Sequence, residues 1–444
     1  MRFFLLLACA GSLFAEFRAG AFKTIITPSV TGHGPVYMAG FGHNRVAAGV
    51  HDDLYARCLA FSAGRKPLVM CEVDLIGFFL DDVERVRAKV AGADVVVAST
   101  HVHEGPDTMG LWGPAVGQSG IDDGYNGFVV DRVAEAAQGA IAALEPATPA
   151  LAVVHTPELD SFIDDDRPPV VHDPDLIVLT LTGKDGRRIA TAVNWANHPE
   201  TLGSRNTQIS ADYPGFFYKR LEAKVGGMAV LWNGAVGGMQ SPLNAKINDP
   251  ATGKAAAENS FRKTQILGER IADLAADAIG PAAPVRIDKV EFAERIITIP
   301  VTNRGFEMAA QADLYKGRKK TTAGGATTAP VGLIRMSGRE PILEIALIPG
   351  EMYPELSLGG VERYAGADFP DAPIEAPIKP MLHARFKMLI GLADDEIGYI
   401  IPKAEWDEKP PYLQNAKKAW YGEENSVGPD SAALIAAAIA ELSR

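Results

Sequence analysis

The sequence predicts an α/β fold, a single large domain in which helices flank a mixed β-sheet core. Segments with strand and helix patterns alternate from residue 54 to about residue 300. The turn Gly183-Lys184-Asp185-Gly186 joins two strand-like runs as a hairpin, so the sheet cannot be purely parallel. No internal repeat recurs at a fixed period, which argues against a solenoid or propeller.

Individual elements follow from the hydrophobic period and from the residues that end each run. The predicted strands are 54–61, 68–75, 94–99, 151–155, 176–182, 189–195 and 228–232, with two more near 286–300 and 342–348. The predicted helices are 81–90, 125–144, a helix that ends at Val225 with Asp212 as its N-cap, 258–280 and 431–442. Residues 244–258 and 317–331 are rich in small and polar residues and are predicted to be exposed loops.

Composition and charge narrow the classes of partner. The 444 residues are 47% hydrophobic and 22% charged, an ordinary composition for a globular protein. The net charge of −12 disfavours nucleic acid and anionic membrane surfaces as electrostatic partners. Past the N-terminus, no segment has the roughly 18 consecutive apolar residues of a membrane span. No feature of the sequence indicates a protein partner.

The first fifteen residues have the pattern of a secretory signal peptide. Arg2 supplies a positive charge, residues 3–10 form a short apolar stretch, and Ala15 ends a cleavage site before Glu16. A lipoprotein anchored at Cys9 is less favoured because the apolar stretch before it is very short. The sequence therefore predicts export, to the periplasm or the medium.

Two cysteines remain after such cleavage. Cys58 and Cys71 lie almost symmetrically about the turn 63–66, between two predicted strands. A simple hairpin would place them opposite each other, close enough for a disulfide in an oxidising compartment. Two buried thiols that act as small apolar side chains are the alternative.

The segment S-T-H-V-H-E-G-P, residues 99–106, carries the strongest chemical signal. It follows the buried strand pattern of residues 94–98, and side chains alternate along a strand. His101 and His103 would therefore lean to the same side, which indicates a shared cation or a shared proton acceptor. The Gly-Pro pair ends the strand and starts a loop at its carboxyl end.

Further polar side chains follow other apolar segments. His198 comes after the strand 189–195, a glycine-rich turn covers 232–242, Glu351 follows the strand near 342–348, and Tyr399 is flanked by apolar residues. In an open α/β sheet the strand ends gather at one rim. Histidines with a carboxylate and an open position form the ligand set of catalytic zinc. Taken singly, such a histidine could instead be a hydrogen-bonded structural residue, and such a glutamate a surface group.

Together these motifs resemble the catalytic domain of the neutral/alkaline (non-lysosomal) ceramidases. The family motif T-H-x-H-x-G-P matches residues 100–106, the histidine after an N-W strand matches His198, and P-G-E matches 349–351. Segments 38–42 and 54–61, with Asp74, resemble the family's opening turn and first strands. The likeness runs from about residue 22 to the C-terminus, so the predicted domain is 22–444. Ceramidases continue from there into a smaller β-sandwich domain.

The resemblance implies a role for each matching residue. It implies four zinc ligands: His101, His198, Glu351 and Tyr399. It implies that His103 hydrogen-bonds the substrate or the attacking water, and that Arg167 and Tyr421 line the site, where they would donate to an oxyanion. A surface salt bridge for Arg167 and a packed aromatic side chain for Tyr421 are the alternatives.

One family segment departs from its pattern. G-D-x-S-P-N, which carries a serine important for catalysis, falls on residues 237–242, which read G-G-M-Q-S-P. Without a gap Gln240 replaces that serine, whereas one inserted residue makes Ser241 its counterpart and a candidate catalytic residue. Attack by zinc-activated water needs neither residue.

The resulting expectation is an exported, zinc-dependent amidohydrolase that cleaves an N-acyl bond by means of zinc-activated water. A ceramide-like lipid is the leading substrate. The alternatives are a zinc hydrolase of another amide or an ester, and a non-catalytic exported binding protein on the same scaffold.

Overall fold

A computed structural model describes residues 16–32, 34–64, 66–165, 167–319 and 325–444. The predicted signal peptide, with Arg2 and Cys9, lies outside the described residues. The chain folds into four layers: helices, a nine-stranded sheet, a four-stranded sheet, and helices again. The predicted α/β class with a mixed sheet is confirmed, and the structure adds a second sheet.

The elements are numbered in chain order. The strands are β1 Arg18–Ile25, β2 Gly49–Val50, β3 Tyr55–Ser62, β4 Leu68–Val73, β5 Asp94–Ser99, β6 Glu145–His155, β7 Asp175–Gly183, β8 Arg188–Trp195, β9 Gln208–Ile209, β10 Met228–Asn233, β11 Ala283–Pro284, β12 Lys289–Pro300, β13 Ala326–Ser337, β14 Pro341–Leu347, β15 Glu351–Met352, β16 Phe386–Ile390 and β17 Tyr399–Ile400. The α-helices are α1 Leu80–Lys89, α2 Asp123–Ala142, α3 Pro157–Asp160, α4 Asp212–Val225, α5 Phe261–Ile279, α6 Arg304–Gln311, α7 Pro354–Leu358, α8 Ile378–Met381 and α9 Ser431–Leu442.

The larger sheet has the order β10-β8-β7-β6-β1-β3-β4-β5, and β11 pairs with β6. β7 and β8 form the predicted antiparallel hairpin, whereas β8–β10 and β4–β5 are parallel. The smaller sheet has the order β12-β13-β14-β16 and ends in the parallel pair β14–β16. Both sheets are therefore mixed.

The two sheets share one apolar core. Leu59 and Trp232 of the larger sheet pack in the same cluster as Ile334, Ile345 and Met388 of the smaller one. α1 and α2 cover the outer face of β3–β5, and α4 and α5 cover that of β7, β8 and β10. α7, α8 and α9 cover the outer face of the smaller sheet. Among the described residues, no helix combines the length and apolarity that crossing a membrane requires.

Two local predictions are wrong. Residues 317–331 are not a loop throughout, because β13 begins at Ala326 and buries Thr327, Ala329 and Val331. The small and polar residues there do not have a strand pattern, yet they pair with β12, and their buried face packs against α9. Asp212 is the first residue of α4, and Ala211 before it occupies the N-cap position without a side-chain cap. The Asp212 carboxylate accepts from Thr201 Oγ1 at 2.8 Å.

The two cysteines lie opposite each other. Cys58 of β3 pairs with Cys71 of β4 in the strand register, and a disulfide joins them. Both side chains are buried in the core under α2. Of the two alternatives that the sequence left open, the structure has the disulfide.

Candidate metal centre

The predicted ligands meet where strands of both sheets end. His101 follows β5 and His198 follows β8 in the larger sheet, whereas Glu351 lies just beyond β14 of the smaller one. Glu351 and Tyr399 are direct partners in the short parallel pair β15–β17. The shared core holds the two sheets together, so these strand ends face one another across it.

His101 is held in an unusual backbone conformation. Its φ is +69°, in the left-handed region, and its N–H donates to the Leu75 carbonyl at 3.0 Å. Nδ1 lies 2.6 Å from the Ile76 carbonyl oxygen, which can only accept. Nδ1 therefore carries the ring proton, and Nε2 is free to point at Glu351 Oε2, 3.2 Å away. Such backbone strain is common at functional sites.

His198 repeats the arrangement without strain. Its Nδ1 donates to the Gln240 carbonyl at 2.9 Å, and its Nε2 lies 3.0 Å from Glu351 Oε2. The side chain is fully buried. Metal-binding histidines commonly donate their second ring nitrogen to a backbone carbonyl in this way.

Two imidazole lone pairs and one carboxylate oxygen thus converge. A proton or a cation must lie among these atoms, because three acceptors at this spacing repel each other. Zinc bonds of about 2.0–2.1 Å would place neighbouring tetrahedral ligand atoms about 3.3 Å apart, close to the 3.0 and 3.2 Å found here. Burial raises the pKa of Glu351, but His101 and His198 outweigh it and hold the pKa below its ordinary value. The residues present fit a divalent metal ion.

Tyr399 lies on the same wall. Its hydroxyl donates to Met239 Sδ at 3.0 Å, and its ring stands edge-on to Tyr421, with centroids 5.7 Å apart. Burial and the nearby Glu351 raise its pKa well above the ordinary value. The structure thus brings the phenol beside the three converging atoms, and its role as a fourth ligand stays a prediction.

His103 completes a cluster of imidazoles. One nitrogen from each of His101, His103 and His198 lies within 4.8 Å of the others, a spacing that could also hold a metal ion. His103 Nδ1 lies 3.2 Å from Glu200 Oε2. Burial lowers the pKa of His103 to about 4, although Glu200 acts in the opposite direction.

Glu200 is a site residue that sequence reasoning missed. It is fully buried, and burial raises its pKa, but His103 outweighs that effect and brings the pKa to about 2. The available signal was its place two residues after His198 in N-W-A-N-H-P-E.

Arg167 lies behind the cavity, and Tyr421 lies on it. Arg167 makes a bidentate pair with Glu423, at 2.7 Å for each nitrogen, and donates to the Glu405 carbonyl at 2.6 Å. The pair is buried, so it is not the surface salt bridge considered as an alternative. Arg167 also donates to the Tyr421 carbonyl at 3.4 Å, so it holds the segment that presents Tyr421. Direct donation from Arg167 to an oxyanion stays a prediction.

Gln240 and Ser241 support the cluster from outside. The Gln240 carbonyl holds His198, and its side chain donates to the Val171 carbonyl. The Ser241 hydroxyl oxygen accepts from the Leu243 N–H at 3.0 Å, and its hydroxyl interacts with Glu200. Neither is among the described residues that line the cavity. The catalytic role of Ser241 stays a prediction.

A cavity of about 580 Å³ opens in front of the centre. His101, His103, Glu200, Glu351 and Tyr399 form its polar end. Most of the remaining wall is apolar and aromatic: Phe41, Ile76, Phe79, Met109, Leu111, Trp112, Leu243, Val301, Phe306, Tyr315, Ile397 and Val427. A volume and lining of this kind suit a small-molecule ligand with a large apolar part.

Comparison with solved structures identifies the fold as that of the ceramidases. One neighbour is the neutral ceramidase from Pseudomonas aeruginosa, with a TM-score of 0.70, 18% identity, and coverage of 97% of this chain and 75% of that chain. Another is a ceramidase complexed with C2, with a TM-score of 0.71, 16% identity and the same two coverages. No protein-family model and no curated protein matches the sequence.

Proposed function

We propose that this protein is a metal-dependent hydrolase that cleaves an N-acyl bond, with a ceramide-like lipid as its substrate. One observation carries the proposal. His101 and His198 both commit Nδ1 to a backbone carbonyl, and both direct Nε2 at one oxygen of Glu351. The ceramidase fold supports the same reaction class.

Zinc is the proposed ion. Two imidazoles, a carboxylate and a neighbouring phenol match the nitrogen and oxygen ligands that zinc takes, and His101, His198 and Glu351 would hold it with Tyr399 beside them. Bound zinc would polarise the substrate carbonyl and lower the pKa of a coordinated water to about 7.

The chain's own residues would orient the amide. The Tyr421 hydroxyl, on the cavity wall, would donate to the carbonyl oxygen as it gains charge, and Arg167 would support this through its hold on the Tyr421 segment. His103 would accept a hydrogen bond from the water or the substrate at the other side of the centre. Ser241 would act through Glu200.

The cavity supports a lipid amide over a small polar one. Phe79, Trp112 and Phe306 are among the aromatic side chains of its apolar wall. Burial of apolar surface stabilises binding by about 25 cal/mol for each Å² removed from water. An acyl chain of several methylenes would therefore contribute most of the affinity. The metal centre would determine which bond of the bound substrate is cleaved.

Metal analysis with an activity assay tests the proposal. Purified wild-type protein should carry about one zinc per chain and release fatty acid from short-chain ceramides, and His101→Ala should lose both properties. Tyr412→Phe, a change outside the cavity, is the matched control. Zinc in the wild type without hydrolysis of any amide or ester would favour the binding protein, and hydrolysis of esters alone would favour the other hydrolase.

Export is a separate proposal. The predicted signal peptide and the disulfide between Cys58 and Cys71 support it, because such bonds persist in oxidising compartments. Mass spectrometry of the protein from the exported fraction should find a chain that begins at Glu16 and has no free thiol. A chain that keeps residues 1–15 inside the cell, with two free thiols, would contradict export.

A further inference from the structure

The carboxylate of Glu200 is buried in direct contact with the His103 imidazole, and His198 lies near enough to act on its charge. Oε2 lies 3.2 Å from His103 Nδ1, and the described residues offer this carboxylate no Lys or Arg partner. The Ser241 hydroxyl is its other neighbour of note. A buried carboxylate must be compensated, and among the described residues the His103 ring is the cationic or N–H-bearing group in direct contact with it.

The His103 ring cannot easily turn away from Glu200. Its backbone N–H donates to the Pro199 carbonyl at 3.1 Å, so the two segments are joined next to the pair. The Phe41 ring packs edge-on at 5.1 Å. On the remaining side, a Cβ on Gly40 would lie 2.4 Å from His103 Cγ, so Gly40 and the ring are already in close contact.

A neutral imidazole has one N–H, and its position decides what the other nitrogen can do. The Glu200 carboxylate lies 3.2 Å from Nδ1 and therefore favours the proton on that nitrogen, which leaves Nε2 with its lone pair. His101 and His198 have the same tautomer, set by backbone carbonyls. Of these three histidines, His103 is the one whose tautomer is set by a charged side chain. A single substitution can remove that charge.

We infer that Glu200 is a positioning residue, which holds His103 as the Nδ1–H tautomer so that Nε2 accepts a hydrogen bond from the water or substrate at the metal centre. The consequence for turnover rests on the proposed function, whereas the tautomer itself does not. A triad carboxylate that orients a histidine in a hydrolase acts by the same physical principle.

Nuclear magnetic resonance reads the tautomer directly. The full-length chain, labelled with ¹⁵N-histidine and freed of metal by a chelator, should show His103 with its proton on Nδ1; a His103→Gln variant assigns the signals. Glu200→Gln can present its carboxamide N–H to Nδ1, so a large share of the signal should move to the Nε2–H tautomer. Glu396→Gln, which changes another buried carboxylate of the same cavity, is the control and should leave the signal in place. An Nε2–H tautomer in the wild type, or an unchanged signal in Glu200→Gln, would overturn the inference.

A double-mutant cycle tests the link to turnover. Glu200→Gln should lower kcat on a short-chain ceramide by about 10–100-fold, with little change in KM and with the zinc content retained. In the His103→Gln background the same change should lower kcat by less than about 2-fold, because the residue acts through His103. Equal losses in both backgrounds would mean a merely structural role. If the wild type hydrolyses no amide, the proposed function fails, and the tautomer experiment still decides the inference.

Discussion

At the scale of single residues, the role of each side chain in this site follows from its contacts and not from its place in the sequence. Glu351 and Glu200 are both buried carboxylates beside imidazoles, yet Glu351 faces two ring nitrogens whose protons are committed elsewhere, whereas Glu200 lies 3.2 Å from one nitrogen of His103. The first arrangement needs a cation, whereas in the second the imidazole's own proton can face the carboxylate. Sequence reasoning predicted Glu351 from its P-G-E context, whereas the role of Glu200 depends on a ring that lies 97 positions earlier.

Substitutions of Arg167 and Tyr421 should have different effects: the first should lower stability, and the second should lower activity. Arg167→Met would leave Glu423 buried without its cation and should lower the free energy of unfolding by about 3–5 kcal/mol. Tyr421→Phe removes only a hydroxyl from a half-exposed ring, so stability should hold while kcat/KM falls by about 10–100-fold. Denaturant unfolding and hydrolysis assays measure the two effects. Loss of activity without loss of stability in Arg167→Met would instead support direct contact between Arg167 and the substrate.

At the scale of helices and strands, the predicted bounds agree with the observed ones where the residue pattern of the segment favours a single structure. The predicted strand 94–99 and helix 431–442 have the same bounds as β5 and α9, because a β-branched run and an alanine-rich run each favour one structure. β13 was missed because its first half is built from Ala, Thr and Pro. Those residues become buried because they pair with β12 and because Ala329 and Val331 pack in the same apolar cluster as α9.

The start of α4 should make stability depend on pH. Asp212 is fully buried, and burial raises its pKa to about 7 despite hydrogen bonds from Thr201 and the Tyr213 N–H. The folded chain therefore favours the protonated acid. Its contribution to stability is complete below the unfolded pKa of about 3.9 and is lost as pH rises towards about 7, at up to roughly 1.4 kcal/mol for each pH unit.

Asp212→Asn is the matched change, because asparagine is neutral and tolerates the left-handed φ of +52° at this position. The free energy of unfolding of wild type minus that of the variant should fall between pH 4 and 7 and then level off. Denaturant titrations at half-unit pH intervals measure it. A difference that stays constant with pH would contradict the raised pKa.

Across the whole molecule, the shared core joins the two sheets into one unit. Ile345 of β14 is fully buried and pairs with Ile334 of the neighbouring strand β13. It packs in the apolar core that the two sheets share. Ile345→Ala should lower the free energy of unfolding by about 2–5 kcal/mol. Ile296→Ala, which changes an exposed side chain of β12, should cost less than about 0.5 kcal/mol.

The transition itself is a second readout of the same variant. Because the core spans both sheets, Ile345→Ala should still unfold in one step when followed by circular dichroism and by tryptophan fluorescence. Two separated transitions would mean that the smaller sheet unfolds independently. That result would also imply that the candidate metal site opens before the larger sheet does, since Glu351 follows β14.

The sequence by itself determined the α/β class, most of the strands and helices, and the polar motifs at strand ends, because these depend on local periodicity and on short motifs. Tertiary structure alone decided that a second sheet packs on the first and that His101 and His198 direct Nε2 at Glu351. It also decided that Arg167 forms its ion pair with Glu423. The same holds for the contact between Glu200 and His103. Such contacts join residues far apart in the chain, and their energies depend on burial and on distances of about 3 Å, which no local pattern specifies.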